Sequence, residues 1–70
     1  GPIDWLFLDA SHREDDQWAE YEALRPHLTA DAMILIDDCT CTPRTTARIA
    51  VDRAKKLTVF SLHYGLAVIA

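Results

Sequence analysis

Glycine is scarce in this chain, since only Gly1 and Gly65 occur among its 70 residues. Loops that cradle a nucleotide between a strand and a helix need several glycines, because the backbone must turn tightly and approach the phosphates closely. The sequence contains no glycine-rich loop of this kind. A ligand that depends on such a loop would need another segment of protein.

Basic residues and long apolar runs are also few. Seven Lys and Arg stand against 11 Asp and Glu, which gives a formal net charge of -4. There is no basic run that would attract nucleic acid, no apolar stretch near the roughly 20 residues that span a bilayer, and no signal-peptide pattern. We therefore expect a cytoplasmic protein with neither a nucleic-acid nor a membrane partner.

Cysteine is limited to Cys39 and Cys41. Two cysteines this close in sequence are poorly placed to staple a fold. No second cysteine pair or suitably spaced histidine accompanies them as zinc ligands. We expect ordinary, half-buried, reduced thiols.

Two unbroken apolar runs are present, Trp5–Leu8 and Met33–Ile36. Runs of this length are typical of strands that are covered on both faces. Between them, apolar residues recur at helical spacing and predict a helix over Asp15–Leu28. A turn at Ala30–Ala32 is expected to lead into the second strand.

The second half of the chain predicts one more helix and a hairpin. Thr42-Pro43 is typical of an N-cap followed by proline at the first helical position, and an apolar stripe extends to Leu57. The segments Thr58–His63 and Leu66–Ala70 are rich in β-forming residues and predict a closing hairpin. The resulting β-α-β-α-β-β order predicts an α/β fold with right-handed crossovers and a mostly parallel sheet whose last strand is antiparallel.

Aspartates follow both apolar runs: Asp9 after the first, and Asp37 and Asp38 after the second. If the runs are neighbouring parallel strands, these carboxylates meet at the sheet edge where open α/β folds bind ligands. Like charges at such a point call for a cation or a shared proton, and Mg²⁺ prefers hard oxygen ligands. A magnesium site is one interpretation, and helix capping or turn formation is the other.

His12 lies three residues beyond Asp9. Histidine can take up a proton near neutral pH, so His12 is a candidate general base at this edge. The alternative is an ordinary histidine on a surface loop.

The segment Ile3-Asp4-Trp5-Leu6-Phe7-Leu8-Asp9-Ala10-Ser11-His12, followed by a helix and then by Ile34-Leu35-Ile36-Asp37-Asp38, resembles the C-terminal half of class I S-adenosylmethionine-dependent methyltransferases. Within that family it is most similar to the metal-dependent O-methyltransferases that modify sugars of macrolide and aminocoumarin antibiotics, and more distantly to the catechol type. The resemblance covers nearly the whole chain. It implies a Rossmann-like methyltransferase sheet that ends in an antiparallel hairpin.

The resemblance also implies roles for individual residues. Asp9, Asp37 and Asp38 match the positions that bind magnesium, and His12 matches the position of the general base. Ala10 and Ser11 match positions that contact the cofactor, although the family often has glycine and an acid there. The implied reaction is methyl transfer from S-adenosylmethionine to a hydroxyl of a small molecule.

Residues 1–70 would then be the C-terminal half of one domain, with the cofactor-binding N-terminal half outside this sequence. We expect these 70 residues alone to be inactive. Acceptor identity and oligomeric state stay open, with a homo-oligomer as one outcome.

Two other functions are compatible with parts of the sequence. Ile34–Asp38 also resembles the first strand of a phosphoacceptor receiver domain, but the only later aspartate, Asp52, falls in the predicted second helix. Alternatively, the chain is a non-catalytic half-domain that associates through an edge strand and uncovered apolar helix faces.

Overall fold

The computed structural model describes residues 2–9 and 12–70. In this part of the chain, strands and helices follow the predicted order. They are β1 (Ile3–Leu8), α1 (Glu14–Leu24), β2 (Leu28–Asp37), α2 (Pro43–Arg53), β3 (Leu57–Phe60) and β4 (Leu66–Ile69). None of the helices among these residues is long and apolar enough to cross a membrane.

The strands form one sheet in the order β1-β2-β4-β3. Strand β1 pairs with β2 in parallel, whereas β4 lies between β2 and β3 and is antiparallel to both. Strands β1, β2 and β3 therefore run in the same direction, and β4 runs in the opposite direction. This confirms the predicted α/β fold and its terminal antiparallel hairpin, in a mixed sheet with one parallel and two antiparallel strand pairings.

Both helices contribute to a core on one face of the sheet. Tyr21 of α1 and Ile49 of α2 are fully buried against side chains of three strands. These strand residues are Leu8, Ile34, Ile36, Ala67 and Ile69. Burial of this apolar surface is the main favourable contribution to folding.

The opposite face of the sheet is largely uncovered by the described residues. Trp5 is 62% exposed, Phe7 46% and Met33 42%. The register pairs Trp5 with Met33 and Phe7 with Leu35, so the three exposed side chains form one apolar surface. The prediction that both faces of these strands are covered was wrong for this part of the chain.

Helix α1 ends earlier than predicted, at Leu24 instead of Leu28. Pro26 lies in the 3-10 turn Arg25–His27, where a residue without an N–H can be accommodated, whereas an α-helix would lose a hydrogen bond there. Leu28 begins β2, so Ala30–Ala32 belongs to that strand and the predicted turn is absent from it.

The second helix also ends earlier than predicted. Helix α2 stops at Arg53, and Ala54 takes a left-handed conformation with φ of 54°. Leu57 therefore opens β3 instead of closing the helix, and β3 itself ends at Phe60, short of the predicted His63. The turn that follows has positive φ at both His63 and Gly65.

Candidate active site

The carboxyl ends of β1 and β2 place the predicted aspartates side by side. Leu8 pairs with Ile36 in the parallel register. The next residue in each strand direction is an aspartate, Asp9 after Leu8 and Asp37 after Ile36. The two strand ends thus bring their carboxylates to the same edge of the sheet, as the sequence predicted.

Asp9 and Asp37 interact directly. A hydrogen bond with the carboxyl group of Asp37 raises the pKa of Asp9, and some desolvation and the negative charges of Asp37 and Asp38 raise it further, although Asp9 is exposed. The nearby His12 has the opposite effect on the pKa of Asp9. Two carboxyl groups that compete for one proton form a site where a cation can replace that proton.

Asp38 has a different partner from Asp37, although the two are adjacent in sequence. Its backbone is left-handed, with φ of 54°, a conformation that aspartate tolerates better than most residues. Its backbone N–H donates to Oδ1 of Asp37 at 3.0 Å. Its side-chain Oδ2 lies 3.0 Å from Nε2 of His12.

The His12–Asp38 contact joins the loop after β1 to the loop after β2. The His12 side chain is 59% exposed and that of Asp38 is 22% exposed. Because Nε2 faces the carboxylate, it carries the hydrogen in the neutral ring, which leaves Nδ1 as the acceptor. This arrangement can accept a proton from a ligand at an open edge of the sheet.

The described residues do not bring three or more His, Cys, Asp or Glu side chains into a group that could hold a metal ion. The donor chemistry of Asp9 and Asp37 suits Mg²⁺, because both supply carboxylate oxygens. Asp38, predicted as the third ligand, is engaged with His12. For a magnesium ion, the described residues therefore offer one pair of carboxylate ligands, with a third carboxylate nearby.

Ala10 and Ser11, the predicted cofactor contacts, lie outside the described residues. The receiver-domain alternative required an aspartate at a later strand end. Asp52 lies in α2, where it accepts hydrogen bonds from Tyr21 and Arg25. Its contacts are those of a residue that joins the two helices.

Both cysteines are free thiols. Burial raises the pKa of the Cys39 thiol, and the carboxylates of Asp37 and Asp38 raise it as well. A thiol in these surroundings stays protonated near neutral pH and is a poor nucleophile. Cys39 instead packs against the hairpin turn, where a Cβ at Gly65 would lie 2.8 Å from its Sγ.

Helix α2 is capped by a residue that the sequence did not single out for this role. Glu14 accepts hydrogen bonds from the backbone N–H groups of Arg44 at 3.0 Å and Thr45 at 3.1 Å. Thr45 also donates its hydroxyl to the Glu14 carbonyl at 2.9 Å. Thr42 occupies the predicted N-cap position, but its side chain makes no capping hydrogen bond and its Oγ1 is buried without a partner among the described residues.

A polar cleft lies between the N-termini of the two helices. It has a volume of about 330 Å³ and is named here the arginine cleft. Its lining residues are Arg13, Glu14, Asp15, Arg44, Thr45 and Arg48. Sequence analysis missed it, because Arg13 is distant in sequence from Arg44 and Arg48 and the three form no basic run.

A family model described as a methyltransferase domain matches residues 1–39 of the 70. This match spans β1, α1 and β2, including Asp9, His12, Asp37 and Asp38. No curated protein and no solved structure matches the chain significantly. The family match covers more than half of the sequence, and the fold agrees with the predicted methyltransferase half. The chain belongs to the methyltransferase domain family.

Proposed function

We propose that this chain forms the acceptor side of an S-adenosylmethionine-dependent O-methyltransferase that modifies a hydroxyl group of a small molecule. The observation that carries the proposal is the His12–Asp38 contact of 3.0 Å. It lies beside the Asp9–Asp37 carboxyl pair at the sheet edge. A base next to a carboxylate pair is suited to removing a proton from a hydroxyl group.

His12 is the proposed general base. Asp38 accepts the Nε2–H hydrogen bond and thereby fixes both the tautomer and the orientation of the ring. The free lone pair on Nδ1 would then be able to take the proton of the acceptor hydroxyl. A positioned general base typically contributes about 10²- to 10⁴-fold to the rate.

Asp9 and Asp37 are the proposed core of a magnesium site, with Asp38 as a third candidate ligand. The raised pKa of Asp9, caused first by Asp37, supports this assignment, because a cation bound by both carboxyl groups would relieve the repulsion between them. When bound, the ion would orient the acceptor hydroxyl and make it easier to deprotonate. Asp38 would bind the ion through one carboxylate oxygen while Oδ2 keeps its contact with His12.

The methyl donor needs more protein than this chain offers. S-adenosylmethionine supplies the methyl group from a sulfonium centre. Gly65 is the only glycine among the described residues, and it lies in the turn between β3 and β4, so the described parts of the strand-to-helix loops contain no glycine. The described residues therefore do not fit the cofactor by themselves, and Ala10 and Ser11 stay predicted contacts.

Two structural features support the proposal that residues 1–70 are half of a domain. Strand β1 is at one end of the described sheet, with no strand on its outer side. The apolar surface of Trp5, Phe7 and Met33 is exposed. Strands β1 and β2, which carry this surface, are a parallel pair, and parallel strands are normally covered on both faces, so a further layer would complete the fold.

The base assignment can be tested in the complete methyltransferase domain with a panel of hydroxyl acceptors. We expect His12→Ala to lower turnover by about 10²- to 10⁴-fold. The matched control is His27→Ala, because His27 is exposed on the turn before β2. Wild-type turnover of the His12 variant across about pH 6 to 9 would disprove the assignment.

The metal and the cofactor have separate tests. Asp37→Ala should weaken Mg²⁺ binding in a calorimetric titration, whereas Asp31→Ala should not, because the Asp31 side chain is fully exposed. Undiminished activity after a chelator has removed all divalent metal would contradict the proposed magnesium site. The 70-residue chain alone should bind S-adenosylmethionine weakly or not at all, and micromolar affinity would contradict the half-domain assignment.

A further inference from the structure

Strand β3 forms the second edge of the described sheet. It is the last strand in the order β1-β2-β4-β3, so among the described residues only its inner side is paired, with β4. Lys56 and Ala70 exchange both backbone hydrogen bonds, at 3.3 and 3.1 Å. Because such pairs alternate along antiparallel strands, the N–H and C=O groups of Leu57 and Val59 point away from β4. These groups are available to another strand.

The edge lacks the usual features that keep edge strands apart. Its sequence, Leu57-Thr58-Val59-Phe60, contains neither a charged residue nor a proline, and its register with β4 is regular. Charges, prolines and bulges on an edge strand normally protect it against pairing with another chain. Val59 is 52% exposed and Phe60 is 49% exposed. Neighbouring residues of a strand point to opposite faces, so the edge presents an apolar side chain on each face of the sheet.

An apolar pocket, called here the β3 pocket, lies beside this edge on the helical side. Leu57 and Val59 pair with Ile69 and Ala67, which belong to the core under the helices, so all four side chains face the same way. The β3 pocket has a volume of about 170 Å³. Its lining residues are Cys39, Thr40, Pro43, Thr46, Leu57 and Val59. A strand added at the edge would bury this apolar surface.

The distribution of charge favours contact between two copies at this end of the chain. Residues 1–52 hold all 11 acidic side chains and four of the seven basic ones, which gives them a formal charge of -7. Residues 53–70 hold the other three basic side chains and no acid. Like charges that face each other oppose association, so two copies repel each other least where acidic residues are absent.

We propose that the β3 edge pairs with the β3 edge of a second copy of this chain, which gives a two-fold dimer with one continuous sheet. A two-fold axis perpendicular to the sheet reverses the second strand, so the two edges pair in antiparallel fashion. All outward-pointing groups are used when Leu57 of each copy lies opposite Val59 of the other. These side chains then cover both β3 pockets. The inference is independent of the proposed methyl transfer.

Lys56 is compatible with this register, because it lies opposite Phe60 of the second copy. The two Lys56 residues are then about four strand residues apart, roughly 13 Å. This separation exceeds the Debye length of about 8 Å at physiological ionic strength, so their repulsion is largely screened. The aliphatic part of each lysine side chain can pack on the exposed Phe60 ring.

Sedimentation equilibrium of the chain measures the dissociation constant of the dimer. We expect Val59→Lys to raise this constant at least about 10-fold, because two positive charges then lie within about 7 Å of each other across the axis. The matched control is Val51→Lys, the same substitution at a side chain that is 81% exposed on α2. It should change the constant less than about twofold. Circular dichroism checks the fold of each variant, and Val59→Thr provides a milder substitution that keeps the β-branched shape and should weaken the dimer less than Val59→Lys.

Amide hydrogen exchange locates the interface without any substitution. In the wild-type chain, the N–H groups of Leu57 and Val59 should become more protected as the protein concentration rises through the dissociation constant. The N–H groups of Thr58 and Phe60 point towards β4 within each copy and should be protected at every concentration.

A wild-type chain that stays monomeric up to its solubility limit would overturn the inference. Equal dissociation constants for Val59→Lys and Val51→Lys would overturn it as well, and so would protection of the Leu57 and Val59 N–H groups that does not change with concentration. The competing arrangement is association through the exposed face that contains Phe7. In that case Phe7→Lys would abolish the dimer and Val59→Lys would not, which would also reject the inference.

Discussion

Nε2 of His12 and Oδ2 of Asp38 lie 3.0 Å apart, on loops that follow two neighbouring parallel strands. The contact makes Nε2 the protonated nitrogen of the neutral ring and leaves Nδ1 free to accept a proton. We expect long-range ¹H–¹⁵N NMR spectra at mildly alkaline pH to show this tautomer for His12.

Asp38→Ala should return the His12 ring to a mixture of tautomers, because the acceptor at Nε2 is lost. His63 provides an internal control in the same spectra, since it lies on the hairpin turn and should not respond. A spectrum in which His12 protonates Nδ1 in the wild-type chain would contradict this assignment of the base atom.

The cap that Glu14 provides should make a measurable contribution to stability. Glu14→Ala removes the acceptor for two backbone N–H groups at the start of α2, and loss of a helix cap typically costs about 0.5–2 kcal/mol. Urea unfolding measures the change in the free energy of unfolding. Glu22→Ala makes the same substitution at an exposed position of α1 and should change stability by less than about 0.5 kcal/mol. Equal effects of the two substitutions would show that Glu14 does not act as a cap.

Gly65 should not tolerate a side chain. Its φ of 90° is unfavourable for other residues, and an added Cβ would lie 2.8 Å from Sγ of Cys39. We expect Gly65→Ala to lower the free energy of unfolding by about 1–3 kcal/mol. A double-mutant cycle with Cys39→Ala separates the two causes, because removing Sγ relieves the contact but not the backbone strain. Fully additive effects would show that the contact with Sγ contributes nothing.

The Tyr21–Asp52 hydrogen bond should make stability depend on pH at both ends of the range. The Tyr21 hydroxyl donates this bond to the Asp52 carboxylate and so lowers the pKa of Asp52. Its stabilising effect is therefore present above the ordinary aspartate pKa and is lost as the pH falls through the lowered value. Burial, followed by the bond to Asp52, raises the pKa of Tyr21 to about 12. That contribution is present below the ordinary tyrosine pKa and is lost as the pH rises through about 12.

Tyr21→Phe tests this pH dependence, because it removes the hydroxyl and keeps the ring. We expect a loss of about 1.5–3 kcal/mol near neutral pH, the range for hydrogen bonds to charged groups. The difference between wild type and variant should shrink in strong acid and in strong alkali. Urea unfolding over a pH series measures it, with Asp31→Asn as a control. A difference that stays constant with pH would contradict the coupling of Tyr21 to Asp52.

Local patterns predicted most of the secondary structure. Apolar runs and helical spacing identified the strands and helices in the right order, because these periods reflect which side chains are buried. The ends of the elements were less predictable. Leu57 fits the apolar stripe of α2 by spacing, but the left-handed Ala54 ends the helix and Leu57 packs as the first residue of β3. That choice depends on tertiary packing, which spacing alone does not contain.

The candidate site was predictable as a location but not as a set of contacts. The aspartates at the ends of β1 and β2 were expected to meet, since parallel neighbours bring their carboxyl ends together. Asp37 and Asp38 are adjacent in sequence but have different partners, Asp9 and His12. This difference depends on the left-handed backbone at Asp38. The Glu14 cap was not predictable from local sequence either, because it joins residues about 30 positions apart.

The hydrogen bonds of Glu14 also determine how the two loops can move. They fasten the first turn of α1 to the first turn of α2, directly after the loops that carry His12 and Asp38. We therefore expect these contacts to limit sliding of one helix along the other. The spacing between the His12 imidazole and the Asp38 carboxylate would then depend on Glu14 as well as on the two strands.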